Sequence, residues 1–169
     1  MKSYDQRTLE LLASQVGALL RANGQRLTTA ESCTGGWAAQ CLTAIAGSSQ
    51  WFERGFVSYS NEAKQDMFGI APGILIKHGA VSEVIVAAMA AGALRHSNAD
   101  WALAITGIAG PSGGSPDKPI GTVCFGWAGP ETGPEVETRH FSGTREDIRA
   151  QSVAHALAGL LERAAHLTA

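Results

Sequence analysis

A serine in a turn between a strand and a helix is the first candidate for chemistry in this sequence. Apolar and threonine residues predict a strand over Arg26–Ala30, and the pattern that follows predicts a helix from about Gly35 to Ile45. Ser32 falls between them, at the carboxyl edge of the predicted sheet, where the first turn of the helix directs its unpaired N–H groups. Its hydroxyl is a candidate nucleophile, and those N–H groups are candidate donors to an oxyanion or a phosphate. The alternative is that Ser32 or Thr34 only caps the helix.

Lys64 stands where a structural lysine is unfavourable. A second strand is predicted at Gly55–Tyr59 and a short helix at Glu62–Phe68, with Lys64 in the first turn of that helix. Because a helix N-terminus is positive, this position disfavours a cation and would lower the pKa of the amine. The five histidines lie near no nucleophile motif, and a serine nucleophile without a histidine indicates lysine as its base. The alternative is a solvated lysine with no chemical role.

A glycine-rich segment, Gly107–Pro116, follows a continuous apolar strand at Trp101–Thr106. Its glycines permit close approach of the backbone to a ligand. It is no Walker loop, because no Gly-Lys-Ser/Thr follows, and its spacing differs from that of a dinucleotide-binding loop. A plain connection is the alternative.

Loops that follow strands gather at one edge of an open α/β sheet, so we expect Glu31–Gly36, Tyr59–Lys64 and Thr106–Gly114 to meet there.

The remaining pattern predicts the elements that position these loops. They are helices at Thr8–Ala22, Glu83–His96 and Thr144–Ala165, strands at Pro119–Trp127 and Val136–Phe141 joined by a turn at Ala128–Pro134, and a turn at Ala71–Gly73. Thr144 and Asp147 have the spacing of a capping box at the start of the last helix. The order of elements predicts an α/β fold, a three-layer α/β/α sandwich with a mixed, mostly parallel sheet, in a single domain over residues 1–169.

Composition excludes several classes of function. The net charge of −2 over 169 residues offers no basic patch, so we expect no nucleic-acid partner. No signal peptide or membrane-spanning stretch stands out, which predicts a cytoplasmic protein with no membrane partner. The three cysteines form no C-x-x-C pair, so neither a zinc site nor a disulfide framework is expected. Trp51 and Phe52, placed near a loop, suggest self-association into a homo-oligomer.

Several long motifs together resemble the CinA C-terminal domain family, in particular its stand-alone amidase form. The segments that carry the resemblance are Thr29–Gly36, Gly47–Phe52, Gly55–Lys64, His78–Ser82 and Thr106–Gly114. They occur in the family's order, cover nearly the whole chain and show no departure at these positions. The resemblance implies hydrolysis of the carboxamide of nicotinamide mononucleotide (NMN) to nicotinate mononucleotide and ammonia, as part of NAD salvage. Longer family members carry a further N-terminal domain with pyrophosphatase activity, which we do not expect here.

The resemblance also implies a catalytic Ser/Lys dyad, which corresponds to Ser32 and Lys64. Lys64 would take the proton from Ser32, which attacks the amide carbon to form an acyl-enzyme. Tyr59 would relay a proton or hold Lys64, and we assign Glu31 no catalytic role. Cys33 competes with Ser32 as nucleophile, since a thiol at a helix N-terminus would be activated; the resemblance favours Ser32.

Substrate binding is expected to involve the loops and small polar residues around the dyad. The oxyanion donors would be the N–H groups of residues 33–36, with the loop 106–110 as the rival. For the substrate phosphate we rank the Gly107–Gly114 backbone first and Arg145 or Arg149 second. The full set of predicted substrate-binding residues is Thr34, Gly35, Gly36, Ser48, Ser49, Asn61, Thr106, Gly107, Ala109, Gly110 and Arg145.

The chemistry requires no metal and no cofactor, and the partner is a small-molecule nucleotide. Two rival functions stay open. One is an amidohydrolase for another small amide, which would keep the dyad and change only the pocket. The other is a nucleotide-binding regulatory module without catalysis, against which the intact Ser32 and Lys64 argue.

Overall fold

A computed structural model describes residues 4–166, without the side chain of Thr132. Its elements are α1 (Gln6–Asn23), β1 (Leu27–Glu31), α2 (Trp37–Thr43), a short 3₁₀ turn (Ser48–Gln50), β2 (Phe52–Val57), α3 (Asn61–Phe68), α4 (Pro72–His78), α5 (Glu83–Arg95), β3 (Trp101–Gly107), β4 (Thr122–Gly129), β5 (Thr132–His140) and α6 (Arg145–His166).

The five strands form one mixed sheet in the order β2-β1-β3-β4-β5. Strands β2, β1 and β3 run parallel, and β4 and β5 add to the sheet as an antiparallel hairpin. Every residue of β1 is buried, as expected for a central strand covered on both faces. The carboxyl ends of the three parallel strands meet at one edge, where Glu31 lies beside Val57 and Ile105. This edge is where loops can build a site.

Helices cover both faces of the sheet. One core packs between the sheet and α1, α2 and α6, and a second packs between the sheet and α3, α4 and α5. The predicted α/β fold, a three-layer sandwich with a mixed sheet, is therefore confirmed. Trp51 lies in the first core with no exposed surface, and its ring lies against Gly17 of α1. The expectation that Trp51 marks a self-association surface is wrong, because the chain buries this side chain in its own core.

Two local predictions differ from the structure. The turn predicted at Ala71–Gly73 is the start of α4, where Pro72 occupies the first helical position. Only Leu75 of α4 is buried, so the helix has no apolar periodicity by which it could be recognised. The turn predicted at Ala128–Pro134 is shorter in the structure, since β4 runs to Gly129 and β5 begins at Thr132.

The capping box at the start of α6 is confirmed. The Thr144 backbone N–H and hydroxyl donate to the Asp147 carboxylate at 2.8 and 2.7 Å, and the Asp147 N–H donates back to the Thr144 hydroxyl. This reciprocal pair fixes where α6 begins, and therefore where the two arginines of its first turns are placed. Within residues 4–166, none of the helices is both long enough and apolar enough to cross a membrane.

Candidate active site

The turn after β1 is organised by a fully buried carboxylate, that of Glu31. Four donors at the start of α2 reach it: the Thr34 hydroxyl at 2.6 Å and the backbone N–H groups of Gly36 at 3.2 Å, Ala38 at 3.1 Å and Ala39 at 2.9 Å. A buried anion is tolerated here because these donors and the positive helix end satisfy it. Glu31 therefore acts as the cap of α2 from six residues before the first helical residue, Trp37.

This arrangement leaves the hydroxyl of Ser32 unused in helix capping. Gly35 and Gly36 both have left-handed backbone conformations, with φ of 60° and 95°, which bring the chain round so that the helix start faces Glu31. The alternative that Ser32 or Thr34 caps α2 is wrong. The residue just before the helix is Gly36, which has no side chain to act as a cap, and the Thr34 hydroxyl donates to Glu31.

Lys64 faces Ser32 across the sheet edge. The distance between Lys64 Nζ and Ser32 Oγ is 3.0 Å, and Nζ also donates to the Ser58 carbonyl oxygen at 2.8 Å. The lysine is only 2% exposed although it lies on the short helix α3. Burial lowers the pKa of the Lys64 amine and outweighs the opposing influence of the Cys33 thiol.

The geometry around Lys64 suits a neutral amine. A neutral amine has two N–H donors and one lone pair. One N–H is donated to the Ser58 carbonyl, and the lone pair can then accept the Ser32 hydroxyl proton. Within residues 4–166, Lys64 forms no ion pair with a carboxylate that would hold it in the charged form. The pair therefore has the distance and the environment that proton transfer from serine to lysine needs.

The Ser32–Lys64 pair opens into a cavity of about 240 Å³. Eight of the predicted site residues line it: Ser32, Tyr59, Asn61, Lys64, Thr106, Gly107, Ala109 and Arg145. Cys33, Ala80 and Val81 complete the lining. Ala80 and Val81 were not predicted as site residues, although they lie within the motif His78–Ser82; the Ala80 carbonyl accepts a 2.9 Å hydrogen bond from the Thr106 hydroxyl. In the described part of the chain, no histidine lines this cavity.

Tyr59 and Arg145 meet at the rim of the cavity. One Arg145 nitrogen donates to the Tyr59 hydroxyl at 2.7 Å, and another donates to the Gly110 carbonyl at 2.7 Å. Tyr59 is 62% exposed, and Lys64 is held by the Ser58 carbonyl instead. The rim thus joins the loops after β2 and β3 to the first turn of α6.

Six predicted substrate-binding residues are not in the cavity lining: Thr34, Gly35, Gly36, Ser48, Ser49 and Gly110. Ser48 and Ser49 belong to the 3₁₀ turn that precedes β2. The N–H groups of Gly35 and Gly36 are already donated, to the Ser32 carbonyl and to Glu31. Of the four N–H groups expected as oxyanion donors, only those of residues 33 and 34 donate no hydrogen bond to another described residue.

Cys33 does not have the properties of a reactive thiol. It is 6% exposed, and burial, with a further contribution from the Glu31 charge, raises the pKa of the thiol to about 12. The expected activation of Cys33 by the helix N-terminus is therefore wrong, because desolvation and a neighbouring anion outweigh it. At neutral pH the thiol is protonated, which leaves Ser32 as the candidate nucleophile.

A second cavity of about 390 Å³ lies beside the first and shares Arg145 with it. Trp37, Glu146 and Arg149 complete its lining. The Arg149 guanidinium lies 5.4 Å from the Trp37 ring centre and donates to the carbonyl oxygens of Cys33 and Thr34, each at 3.0 Å. Sequence patterns could place both arginines near a helix start but could not indicate these partners.

Comparison with known proteins agrees with this architecture. The family model of the CinA C-terminal domain matches residues 9–164. The nicotinamide-nucleotide amidohydrolase PncC of Escherichia coli K12 is 53% identical over 152 residues, which cover 90% of this chain and 92% of that protein. A CinA-like protein of Syntrophobacter fumaroxidans is 51% identical over 162 residues, which cover 96% of this chain but 38% of that protein. The crystal structure of a CinA superfamily protein from Klebsiella pneumoniae superimposes with a TM-score of 0.89 at 42% identity, covering 94% of this chain and 98% of that one. The chain belongs to the CinA C-terminal domain family.

Proposed function

We propose that this chain is a nicotinamide-nucleotide amidohydrolase that converts the carboxamide of NMN to the carboxylate and releases ammonia. The observation that carries the proposal is the 3.0 Å contact between Ser32 Oγ and the buried Lys64 Nζ in the lining of a cavity. The 53% identity to an enzyme named for this activity, over 90% of the chain, supports the choice of substrate. The product is a nicotinate nucleotide, which suits a role in NAD salvage.

The reaction begins with proton transfer. Neutral Lys64 accepts the Ser32 proton while Ser32 Oγ bonds to the carboxamide carbon, giving a tetrahedral intermediate with a negative oxygen. Lys64 then gives its proton to the departing nitrogen as the C–N bond breaks, and an ester to Ser32 remains. Water attacks the ester with Lys64 again as base, which releases the acid and restores the Ser32 hydroxyl.

One backbone group at the cavity is available for the negative oxygen. The N–H groups of Cys33 and Thr34 follow the nucleophile directly, and neither donates a hydrogen bond to another residue among 4–166. Cys33 lines the cavity, whereas Thr34 is fully buried outside the lining. We infer that the Cys33 N–H is an oxyanion donor, a role in which one donor contributes roughly 10²–10³-fold to kcat. The rival donors belong to the loop 106–110 at the end of β3, of which Thr106, Gly107 and Ala109 line the same cavity.

The rest of the nucleotide extends beyond the cavity that contains the dyad. That cavity, at about 240 Å³, is smaller than the roughly 300–1,000 Å³ typical of sites that enclose a whole ligand. Arg145 lies between it and the neighbouring 390 Å³ cavity. We infer that Arg145 binds the substrate phosphate. Its hydrogen bond to the Tyr59 hydroxyl would be replaced by a charge-assisted hydrogen bond to a phosphate oxygen. We therefore rank Arg145 ahead of the Gly107–Gly114 backbone as the phosphate ligand, which reverses the order predicted from the sequence.

A substrate series tests this function. The purified protein is expected to release ammonia from NMN with a kcat/KM roughly 10–10² higher than from the corresponding nucleoside, because a hydrogen bond to a charged group contributes about 1.5–3 kcal/mol. Ammonia release measured with NMN, the nucleoside, free nicotinamide and glutamine gives the order of preference. Folded protein that releases no ammonia from NMN would contradict the proposal, and release from another amide would identify a different amidohydrolase.

A further inference from the structure

Arg149 binds the backbone of the turn that carries the candidate nucleophile. Its Nε donates to the Cys33 carbonyl and one terminal nitrogen donates to the Thr34 carbonyl, both at 3.0 Å. Its guanidinium carbon lies over the Trp37 ring, 5.4 Å from the ring centre. Arg149 comes from α6, more than 110 residues away along the chain, and it is absent from the lining of the cavity that contains Ser32 and Lys64.

These two contacts fix the backbone of the turn beside Ser32. The carbonyl oxygens of two successive residues, Cys33 and Thr34, accept from one guanidinium, so neither planar peptide can rotate without losing a hydrogen bond. Cys33 lines the cavity, and its N–H donates no hydrogen bond to another described residue. Holding the Cys33 carbonyl therefore also restricts the direction of the Cys33 N–H.

We propose that Arg149 is a positioning residue, which holds the turn after Ser32 so that the Cys33 N–H stabilises the oxyanion. The inference rests on the proposed amidohydrolase function, and it assigns the two arginines in the first turns of α6 different roles. Arg145 donates to the Gly110 carbonyl and the Tyr59 hydroxyl at the cavity rim, whereas Arg149 acts through the backbone beside Ser32. Arg145 lines both cavities, whereas Arg149 lines only the neighbouring one, so Arg145 is the better placed of the two for the phosphate.

An arginine suits this position better than a lysine. The planar guanidinium has several donors in a fixed fork, which can reach two successive carbonyl oxygens at once while it stacks on an aromatic ring. A lysine ammonium is a point charge on a flexible chain, so it would keep the positive charge and lose the fixed direction. Arg149→Lys therefore separates the effect of charge from that of geometry.

The test compares Arg149→Ala and Arg149→Lys with the wild type on NMN and on the corresponding nucleoside, which lacks the phosphate. We expect kcat on NMN to fall by about 10² with KM changed less than about threefold, since an oxyanion donor acts in the transition state. We also expect the same relative fall in kcat/KM on the nucleoside. Guanidinium ion at non-denaturing concentrations is expected to restore part of the kcat of Arg149→Ala and none of that of Arg149→Lys.

A phosphate-binding role gives the opposite pattern and would overturn the inference. In that case the variants lose activity on NMN mainly through KM and act on the nucleoside like the wild type. Unchanged kcat in folded variants would also overturn it. Thermal melting identifies a variant that fails to fold. If Arg149→Ala fails to fold, the milder Arg149→Lys provides the test, and the same comparison of its kcat with its KM distinguishes the two roles. A wild type inactive on NMN would reject the proposed function first, and the inference with it.

Discussion

Replacing Ser32 with alanine is expected to lower kcat on NMN by on the order of 10⁶, the effect of removing the serine nucleophile from an acyl-enzyme hydrolase. Replacing Lys64 with methionine is expected to lower it by about 10²–10⁴, the usual contribution of a general base. Methionine keeps most of the buried apolar stem of Lys64 and removes only the amine that lies 3.0 Å from Ser32 Oγ. Initial rates of ammonia release at saturating NMN measure both effects.

Two matched variants control for non-specific effects. Lys77 on α4 and Ser14 on α1 are exposed and absent from the cavity lining, so Lys77→Met and Ser14→Ala are expected to keep wild-type kcat. The dyad also predicts an ester on Ser32 as an intermediate, which mass spectrometry of rapidly quenched reactions can detect in the wild type. Near-normal activity of either dyad variant would refute the mechanism.

The pH dependence of the reaction follows from the burial of Lys64. The amine acts as a base only when neutral, so kcat/KM rises with pH through the pKa of Lys64. Burial lowers this pKa, and the rise is therefore expected to end below about 10.4, the value for an exposed lysine. A rate that is still rising with pH at that value would contradict a buried, partly neutral base.

The same burial has a cost in stability, with a defined sign. Because the pKa of Lys64 is lower in the folded protein, the unfolded chain binds more protons between the folded and unfolded pKa values, and stability rises with pH in that window. Below the window the cost is present in full. Lys64→Met is therefore expected to have a higher free energy of unfolding than the wild type at neutral pH, with a difference that shrinks as pH rises. An inactive but more stable variant separates loss of chemistry from loss of folding.

The parts of the molecule that the sequence predicted correctly are those encoded by local pattern. The apolar run of β3 and the amphipathic pattern of α1 identify buried elements directly. Loops after parallel strands must share one edge of the sheet, and this rule alone brings Ser32 and Lys64 into one neighbourhood. Their convergence therefore required no knowledge of side-chain contacts.

The features that the sequence did not predict depend on contacts between distant segments or on an unusual turn. Arg145 and Tyr59 are 86 residues apart, and Arg149 and Cys33 are 116 apart, so no local pattern pairs them. Helix caps are predicted from the residue just before the helix, which here is Gly36. The cap of α2 is the Glu31 carboxylate, five residues before Gly36, and this prediction therefore does not find it. The α4 helix was missed because most of its apolar residues are exposed.

Removing the Glu31 carboxylate is expected to be the most destabilising single change near the site. In Glu31→Ala the three N–H groups that now donate to the carboxylate lose their acceptor in a buried setting. Hydrogen bonds to a charged group contribute about 1.5–3 kcal/mol each and do not add fully, so we expect a loss of about 3–5 kcal/mol in the free energy of unfolding. Urea unfolding followed by circular dichroism measures this loss.

Glu31→Gln tests whether the charge matters beyond the shape. The amide keeps one acceptor oxygen, but its NH₂ group then faces N–H donors of the helix start, and the favourable interaction of an anion with the positive helix end is lost. We expect a loss of about 1–3 kcal/mol, between that of Glu31→Ala and the wild type. The exposed Glu162→Gln on α6 is the matched control, with an expected change within about 0.5 kcal/mol.

Hydrogen exchange identifies where the stability is lost. If Glu31 caps α2, the amide hydrogens of Gly36, Ala38 and Ala39 exchange faster in Glu31→Gln than in the wild type, while those of β4 change only with global stability. The turn that carries Ser32 loosens with them, so kcat on NMN is expected to fall as well, since small displacements of reacting groups lower rates strongly. Unchanged exchange at these three amides, together with wild-type urea unfolding, would mean that the helix start is held by groups other than Glu31.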